Sequence, residues 1–180
     1  MLNILIELDN TILLFINQTL SNTIFDYIMP MFDNPQNWIP FILFIWFYTS
    51  IKDKENRLKL IILLPITILF CDQIGGLIKD LHLRDRPWFT LGPDIINHLG
   101  RNTGKNLSFP SNHALNISGV SFLFSNIYPY YKKYFWSLAI LIMLSRIYIG
   151  VHYPSDVFFG CLLGGLISFI IIKLWEKYGY

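Results

Sequence analysis

The feature that most constrains this chain is a series of apolar runs, each close to the length at which a helix crosses a lipid bilayer. A spanning helix needs roughly 20 mostly apolar residues, because each residue rises only about 1.5 Å through a hydrocarbon layer about 30 Å thick. Four stretches meet this requirement: Leu58 to Leu81, Ser111 to Tyr128, Phe135 to Gly150 and Pro154 to Trp175. A fifth, Trp38 to Ile51, is short, with Trp38 and Trp46 placed as interfacial anchors. Only 14% of the residues are charged and 53% are hydrophobic, whereas a soluble domain carries about a quarter charged residues. The fold expected is therefore an all-α integral membrane protein, one domain over 1–180, with a bundle of about five transmembrane helices in 36–175.

The first 35 residues differ. Residues 2–20 mix Leu and Ile with Glu7, Asp9, Asn10, Asn17 and Gln18, which predicts an amphipathic helix lying in the interface, with Ser21 to Phe32 as a second short piece. Glu7 and Asp9 interrupt the apolar run and no basic residue precedes it, so no cleaved signal is expected. Cys71 and Cys161 each sit inside an apolar run and are read as packing residues, without a disulfide or a metal site. A net charge of +2 points to no nucleic-acid partner.

Alternating spans place Lys52, Lys54, Arg57, Lys59, Lys132, Lys133, Lys173 and Lys177 on one side, and the positive-inside rule assigns that side to the cytoplasm. Lys79, Arg84, Arg86, Arg101, Lys105 and Arg146 fall on the other. The longest link, Leu81 to Pro110, holds Pro87, Gly92, Pro93, Gly100 and Gly104 and reads as an irregular surface loop.

Three polar clusters share that second side: Lys79 to Pro87, Pro110 to His113, and Ser145 to Asp156. Charge at the edge of an apolar bundle is expensive and marks function or pairing. Lys79, Arg86 and Arg146 converging at one depth form a pocket for an anion's oxygens. Pro110 opens a helix whose first-turn N–H groups favour phosphate, so the amides of Ser111 and Asn112, and the Ser111 hydroxyl, are candidate ligands, with His113 one turn in. His152 and Asp156 are spaced so that the carboxylate accepts from one ring nitrogen and leaves the other basic, the arrangement of an activated nucleophile. Arg146 and His152, six residues apart, would lie about 120° apart on one helix, so a break near Gly150 is expected. Taken singly, each has an ordinary reading: Arg146 as a helix-end arginine, Lys79 as a snorkelling lysine, Arg86 as a head-group contact, His113 as an interfacial histidine, Asp156 as a helix-dipole partner. His82 and His98 read as loop histidines, and Asp80, Asp85 and Asp94 as solvated or paired with loop arginines.

Together, Lys79-x6-Arg86-Pro87, Pro110-Ser111-x-His113 and Ser145-Arg146-x5-His152-x3-Asp156 resemble the three signature motifs of the type-2 phosphatidic acid phosphatase superfamily, in the family's order. One departure is Asn112 where the family usually has glycine, which narrows the pocket. The resemblance implies that His152 attacks phosphorus and becomes phosphohistidine, that Asp156 holds it, and that His113 protonates the leaving alkoxide and then activates water. It further implies that Lys79, Arg86, Arg146 and the Ser111 and Asn112 amides stabilise the phosphate oxygens. No cofactor or metal is expected, and no carboxylate cluster at the pocket suits magnesium. The substrate expected is a lipid phosphate from the membrane, with no protein partner. Among bacterial members the resemblance is strongest to lipid A 1-phosphatases, then to undecaprenyl-diphosphate and phosphatidylglycerophosphate phosphatases. That implies a bacterial inner membrane with the site facing the periplasm. The competing classes are a haloperoxidase or soluble-substrate phosphatase, a lipid-binding or transport protein, and a structural subunit. The first is disfavoured by the five spans and the scarcity of a soluble domain, the second because His113 and His152 are both present, and the third predicts that mutating His152 would spare every activity.

Overall fold

The computed structural model describes residues 2–101 and 106–179, so Gly104 and Lys105 of the long loop lie outside the described residues. Within them the regular structure is helical, apart from one isolated antiparallel bridge between Asp85 and Leu107. Helix α1 (Leu2–Leu14) runs into a π turn at Phe15–Thr19, and α2 (Thr23–Ile28) into a 3-10 turn at Met29–Phe32. Five longer or apolar helices follow: α3 (Ile39–Lys52), α4 (Arg57–Lys79), α6 (Asn112–Ile127), α7 (Lys132–Tyr148) and α8 (Pro154–Tyr178), with a single-turn α5 (Pro87–Thr90) in the long loop. All five expected runs are therefore helical, with ends displaced by a few residues.

Two of them, α4 with 23 residues and α8 with 25, are long and apolar enough to cross a membrane. The helices α3, α6 and α7 have 14, 16 and 17 residues, so they reach about 21–26 Å at 1.5 Å per residue. Large apolar side chains face outward along α3, α4 and α8; Phe44, Leu77 and Phe158 are 66%, 68% and 58% exposed. A monomeric soluble surface does not carry apolar area on this scale.

Helix α6 is the centre, packing against α4, α7 and α8. Its contact with α8 is close because both faces carry small residues. A Cβ built on Gly164 would lie 2.0 Å from the Leu115 carbonyl oxygen, and one on Gly160 would lie 2.7 Å from that of Ser111. Small residues let apolar helices approach backbone to backbone, where dispersion and weak polar contacts hold them. Cys71 is buried against Leu115 and Ile167, Cys161 is half-buried, and both are free thiols. Trp46 packs beside α4 and donates from Nε1 to the Leu60 carbonyl at 2.9 Å. Trp38 stacks on Phe32.

The two ends of the bundle are distinct. At one, the Tyr128 hydroxyl donates to Asp53 at 2.6 Å, and Arg57 donates to the Ser50 and Ile51 carbonyls at the end of α3, each at 2.9 Å. The other end is built by the N-terminal region together with the long loop. Asn17 is fully buried; its Nδ2 donates to the Tyr148 and Asn97 carbonyls, and its Oδ1 accepts the Asn97 N–H. The Tyr148 hydroxyl donates to Asp26 at 2.6 Å. Asp9 on α1 reaches the start of α8. Asp9, Asn17 and Gln18, three of the polar residues that made this region look amphipathic, thus hold it against the rest of the chain.

Candidate active site

The turn between α7 and α8 decides where the third cluster points. Helix α7 ends at Tyr148, and Gly150 takes φ +73°, a conformation an L side chain rarely adopts. A Cβ there would also lie 2.5 Å from Ile96. The helix breaks where expected, and Arg146 and His152 come to the same end of the bundle. Pro154 then occupies the first turn of α8, where its missing N–H costs nothing. Asp156 reaches back to accept the Tyr153 N–H at 2.9 Å.

His152 and Asp156 do not bond directly. Their Nδ1 and Oδ2 atoms are 3.7 Å apart, and the Ser108 hydroxyl lies between, 3.3 Å from Nδ1 and 2.5 Å from Oδ2. Ser108 donates to the carboxylate, so its oxygen is free to accept from His152 Nδ1–H, and Nε2 is left as the basic nitrogen. Asp156 thus meets His152 through the Ser108 hydroxyl, which the spacing of motifs did not reveal. Burial lowers the His152 ring to about 4 against the opposing pull of Asp156, so the imidazole is neutral at pH 7. Replacing Ser108 with alanine leaves the buried His152 Nδ1–H without its acceptor and removes one of the two hydrogen bonds to Asp156 Oδ2, a loss of order 1–3 kcal/mol. We expect kcat for Ser108→Ala to fall at least about tenfold with little change in KM. Steady-state kinetics on the phosphate ester expected from the sequence check this, and a changed KM at unchanged kcat would contradict it.

Behind Asp156 stands a second layer. The Arg84 guanidinium lies 3.5 Å from Asp156 Oδ1, donates to Asp9 and to the Ser155 hydroxyl at 2.7 Å each, and stacks 3.4 Å over the Tyr153 ring. Asp9 also accepts the Ser155 N–H at 2.8 Å. A helix-to-loop ion pair thus fixes the carboxylate from outside. The sequence placed Arg84 only among outer charges, and Asp9 only as a break in an apolar run.

Lys79 and Arg86 meet at the segment around residue 107. Lys79 Nζ donates to the Leu107 and Ser108 carbonyls at 3.2 Å each, and Arg86 Nε to that of Leu107 at 3.3 Å. They line a cavity of about 290 Å³ with Gly76, Asp80 and Leu107. Arg146 is 1% exposed; its Nη1 donates to the Phe32 carbonyl at 3.1 Å, its Nη2 pairs with Asp33, and its Nε has no hydrogen-bond partner among the described residues. The same holds for His113 Nε2, which is also buried. His113 feels the charges of Arg146, His152 and Asp33, so both histidines and Arg146 belong to one electrostatic cluster.

Ser111 departs from expectation. It is fully buried, its N–H donates to the Asp156 carbonyl at 3.1 Å, and its hydroxyl caps α6 by accepting the Ala114 N–H at 3.4 Å. A helix that packs this tightly on α8 has its cap turned inward, so the Ser111 amide is committed to the fold. Asn112 sits in the first turn, with Oδ1 buried and unbonded among the described residues and close enough to Gly75 that a Cβ there would lie 2.7 Å away. Its side chain is directed towards α4. His98, read as a plain loop histidine, stacks on Trp88 at 4.9 Å and feels the charges of Asp33 and Arg86.

The PAP2 superfamily model matches residues 58–180. A lipid A 4'-phosphatase of Bacteroides thetaiotaomicron is 29% identical over 98% of this chain and 83% of its own length. An undecaprenyl-diphosphatase of Sulfolobus acidocaldarius is 32% identical over 76% of the chain and 63% of its own length. Among solved structures, Aquifex aeolicus LpxE superposes with a TM-score of 0.75 at 25% identity, covering 92% of this chain and 95% of that one.

Proposed function

From the premise that this chain belongs to the PAP2 superfamily and is a phosphoric ester hydrolase, we propose that it removes phosphate from a membrane lipid without a metal, through a phosphohistidine on His152. The observation that carries this reading is the gathering of Lys79, Arg86, Arg146, His113 and His152 at one end of the bundle, with Arg146 Nε and His113 Nε2 buried and unpartnered. Buried polar atoms without partners are costly, and a bound phosphate group offers both of them a partner.

In this reading His152 Nε2 attacks phosphorus as the bond to the lipid oxygen breaks, and His113 delivers a proton to the departing alkoxide. A water then gives a proton to His113 as its oxygen displaces His152, releasing inorganic phosphate. Asp156 and Ser108 keep the proton on Nδ1 throughout. Lys79, Arg86, Arg146 and the Asn112 amide carry the charge on the equatorial oxygens, the role a metal has in other phosphoryl-transfer sites.

Five helices, α3, α4, α6, α7 and α8, would span, with residues 1–35 at the outer interface of a bacterial inner membrane and the site facing the periplasm. The placement of basic loop residues supports this orientation. Beside the basic cavity lies an apolar recess of about 280 Å³, lined by Ile78, Phe109, Pro110, Phe159 and Leu162 among others. Ile78 and Lys79 are adjacent, so an amphiphile with a phosphate head and acyl chains has a place for each part. The substrate proposed is a lipid A phosphate, at the 1-position by the sequence resemblance, with undecaprenyl diphosphate second.

The test is phosphate release by purified protein in detergent with EDTA. The panel is lipid A phosphorylated at the 1- or the 4'-position only, undecaprenyl diphosphate, phosphatidylglycerophosphate and phosphatidate. Release that survives chelation is expected, fastest from 1-phosphorylated lipid A. Release restored only by added divalent ions would overturn the metal-free mechanism, and a faster rate on another lipid would reassign the substrate.

A further inference from the structure

The arginine read as a phosphate ligand already holds an anion. Asp33, in the turn after Phe32, pairs through Oδ1 with Arg146 Nη2 and accepts the Arg101 N–H on Oδ2 at 2.8 Å. Its charge also acts on Arg86, His98 and His113. The groups that face it are therefore Arg146 from α7, His113 from α6, and Arg86, His98 and Arg101 from the long loop. Two of these, Arg146 and Arg86, are among the groups assigned to the phosphate oxygens, and His113 is the group assigned to proton transfer beside them.

A carboxylate and a phosphate present the same thing to a guanidinium, a charged oxygen within hydrogen-bond distance. Two such anions cannot share one buried cluster without strong repulsion. Burial alone would push the Asp33 carboxyl up, but Arg146, the Arg101 amide and His113 outweigh it and hold Asp33 below the usual carboxylate range. It is therefore an anion at neutral pH. Arg146 has a second, neutral anchor in the Phe32 carbonyl, so its position does not depend on Asp33 alone.

We propose that Asp33 is an internal anion of the phosphate subsite, which pairs with Arg146 when the subsite is empty, yields to the substrate's phosphate, and returns as inorganic phosphate leaves. It thereby sets how tightly the enzyme retains its product. No bond is made or broken in this exchange; one ion pair replaces another. The inference rests on the reading of Arg146 as a phosphate ligand.

The test compares wild type, Asp33→Asn and Asp33→Glu for inhibition by inorganic phosphate, each at a substrate concentration equal to its own KM. The amide keeps the size and an acceptor oxygen and removes only the charge. Phosphate should inhibit Asp33→Asn about tenfold more strongly than wild type, while Asp33→Glu stays weakly inhibited. Thermal melting with and without phosphate gives a second readout that needs no turnover, with a larger upward shift in Asp33→Asn. Equal or weaker phosphate binding by Asp33→Asn would make Asp33 a prop for Arg146 and overturn the proposal. Failure of the underlying reading looks different: wild type would neither release phosphate from lipid nor be stabilised by it.

Discussion

His152→Ala should release phosphate at least about 10⁴ times more slowly than wild type, because no other described side chain can replace a nucleophile at that point of the cluster. His152 is 3% exposed, with Ser108 on Nδ1 and Asp156 beyond it, so Nε2 is the nitrogen left for chemistry. The variant should also lack the acid-labile phosphoenzyme expected of wild type quenched during turnover. The pH profile gives an independent check. An imidazole attacks only when neutral, and burial lowers this ring to about 4. The limb of kcat/KM that belongs to His152 should therefore fall as pH drops through about 4, not through the ordinary histidine value near 6.5. A variant that keeps phosphate release, or a wild type without a phosphoenzyme, would turn the site into one that activates water directly.

Gly164→Ala should be the most destabilising single methyl addition in the bundle. Its Cβ would sit 2.0 Å from the Leu115 carbonyl oxygen and 2.4 Å from Ser118 Oγ, and the first of these is backbone that no rotamer can move. Helices α6 and α8 must separate by more than 1 Å. Overpacking of a close-packed core costs about 1–3 kcal/mol, and the upper end applies here. That corresponds to a fall in Tm of roughly 6–12 °C for a chain of this size. Activity should fall as well, since α6 carries His113 and α8 carries Asp156. The neighbouring Gly165→Ala is the control: its Cβ would meet only Phe122, at 3.9 Å, and should leave Tm unchanged. If the two variants melt together, the backbone contact between α6 and α8 is not as close as described.

Much of this chain was legible without coordinates. The five apolar runs became five helices because each carries enough apolar side chains to make helix burial or lipid exposure favourable, whatever its neighbours do. The break at Gly150 was legible for a similar reason: a turn that must bring Arg146 and His152 together needs a residue free to take positive φ, and glycine stands there. The three motifs identified the family because their residue types and spacings are local and are tied to one chemistry.

Other features had no local signal. Ser108 lies 44 residues from His152 and 48 from Asp156, and a serine two residues before a proline predicts nothing about a buried relay. Ser111 looked like a phosphate ligand because the first turn of a helix usually offers free amides; only the packing of α6 on α8 committed that N–H to the Asp156 carbonyl. Asp9 and Asn17 read as the polar side of an amphipathic segment and Asp33 drew no reading at all, since periodicity records that a residue is polar and not what it meets.

The sequence by itself determined the helices, the family and the candidate residues of the site, because composition, helical period and motif spacing are properties of short stretches of chain. The tertiary structure alone decided how those groups are held: Arg84 and Asp9 behind Asp156, Ser108 beside His152, and Asp33 on Arg146. Each of these contacts joins residues far apart in sequence, and its energy depends on distances of a few ångströms set by how the helices and the long loop pack.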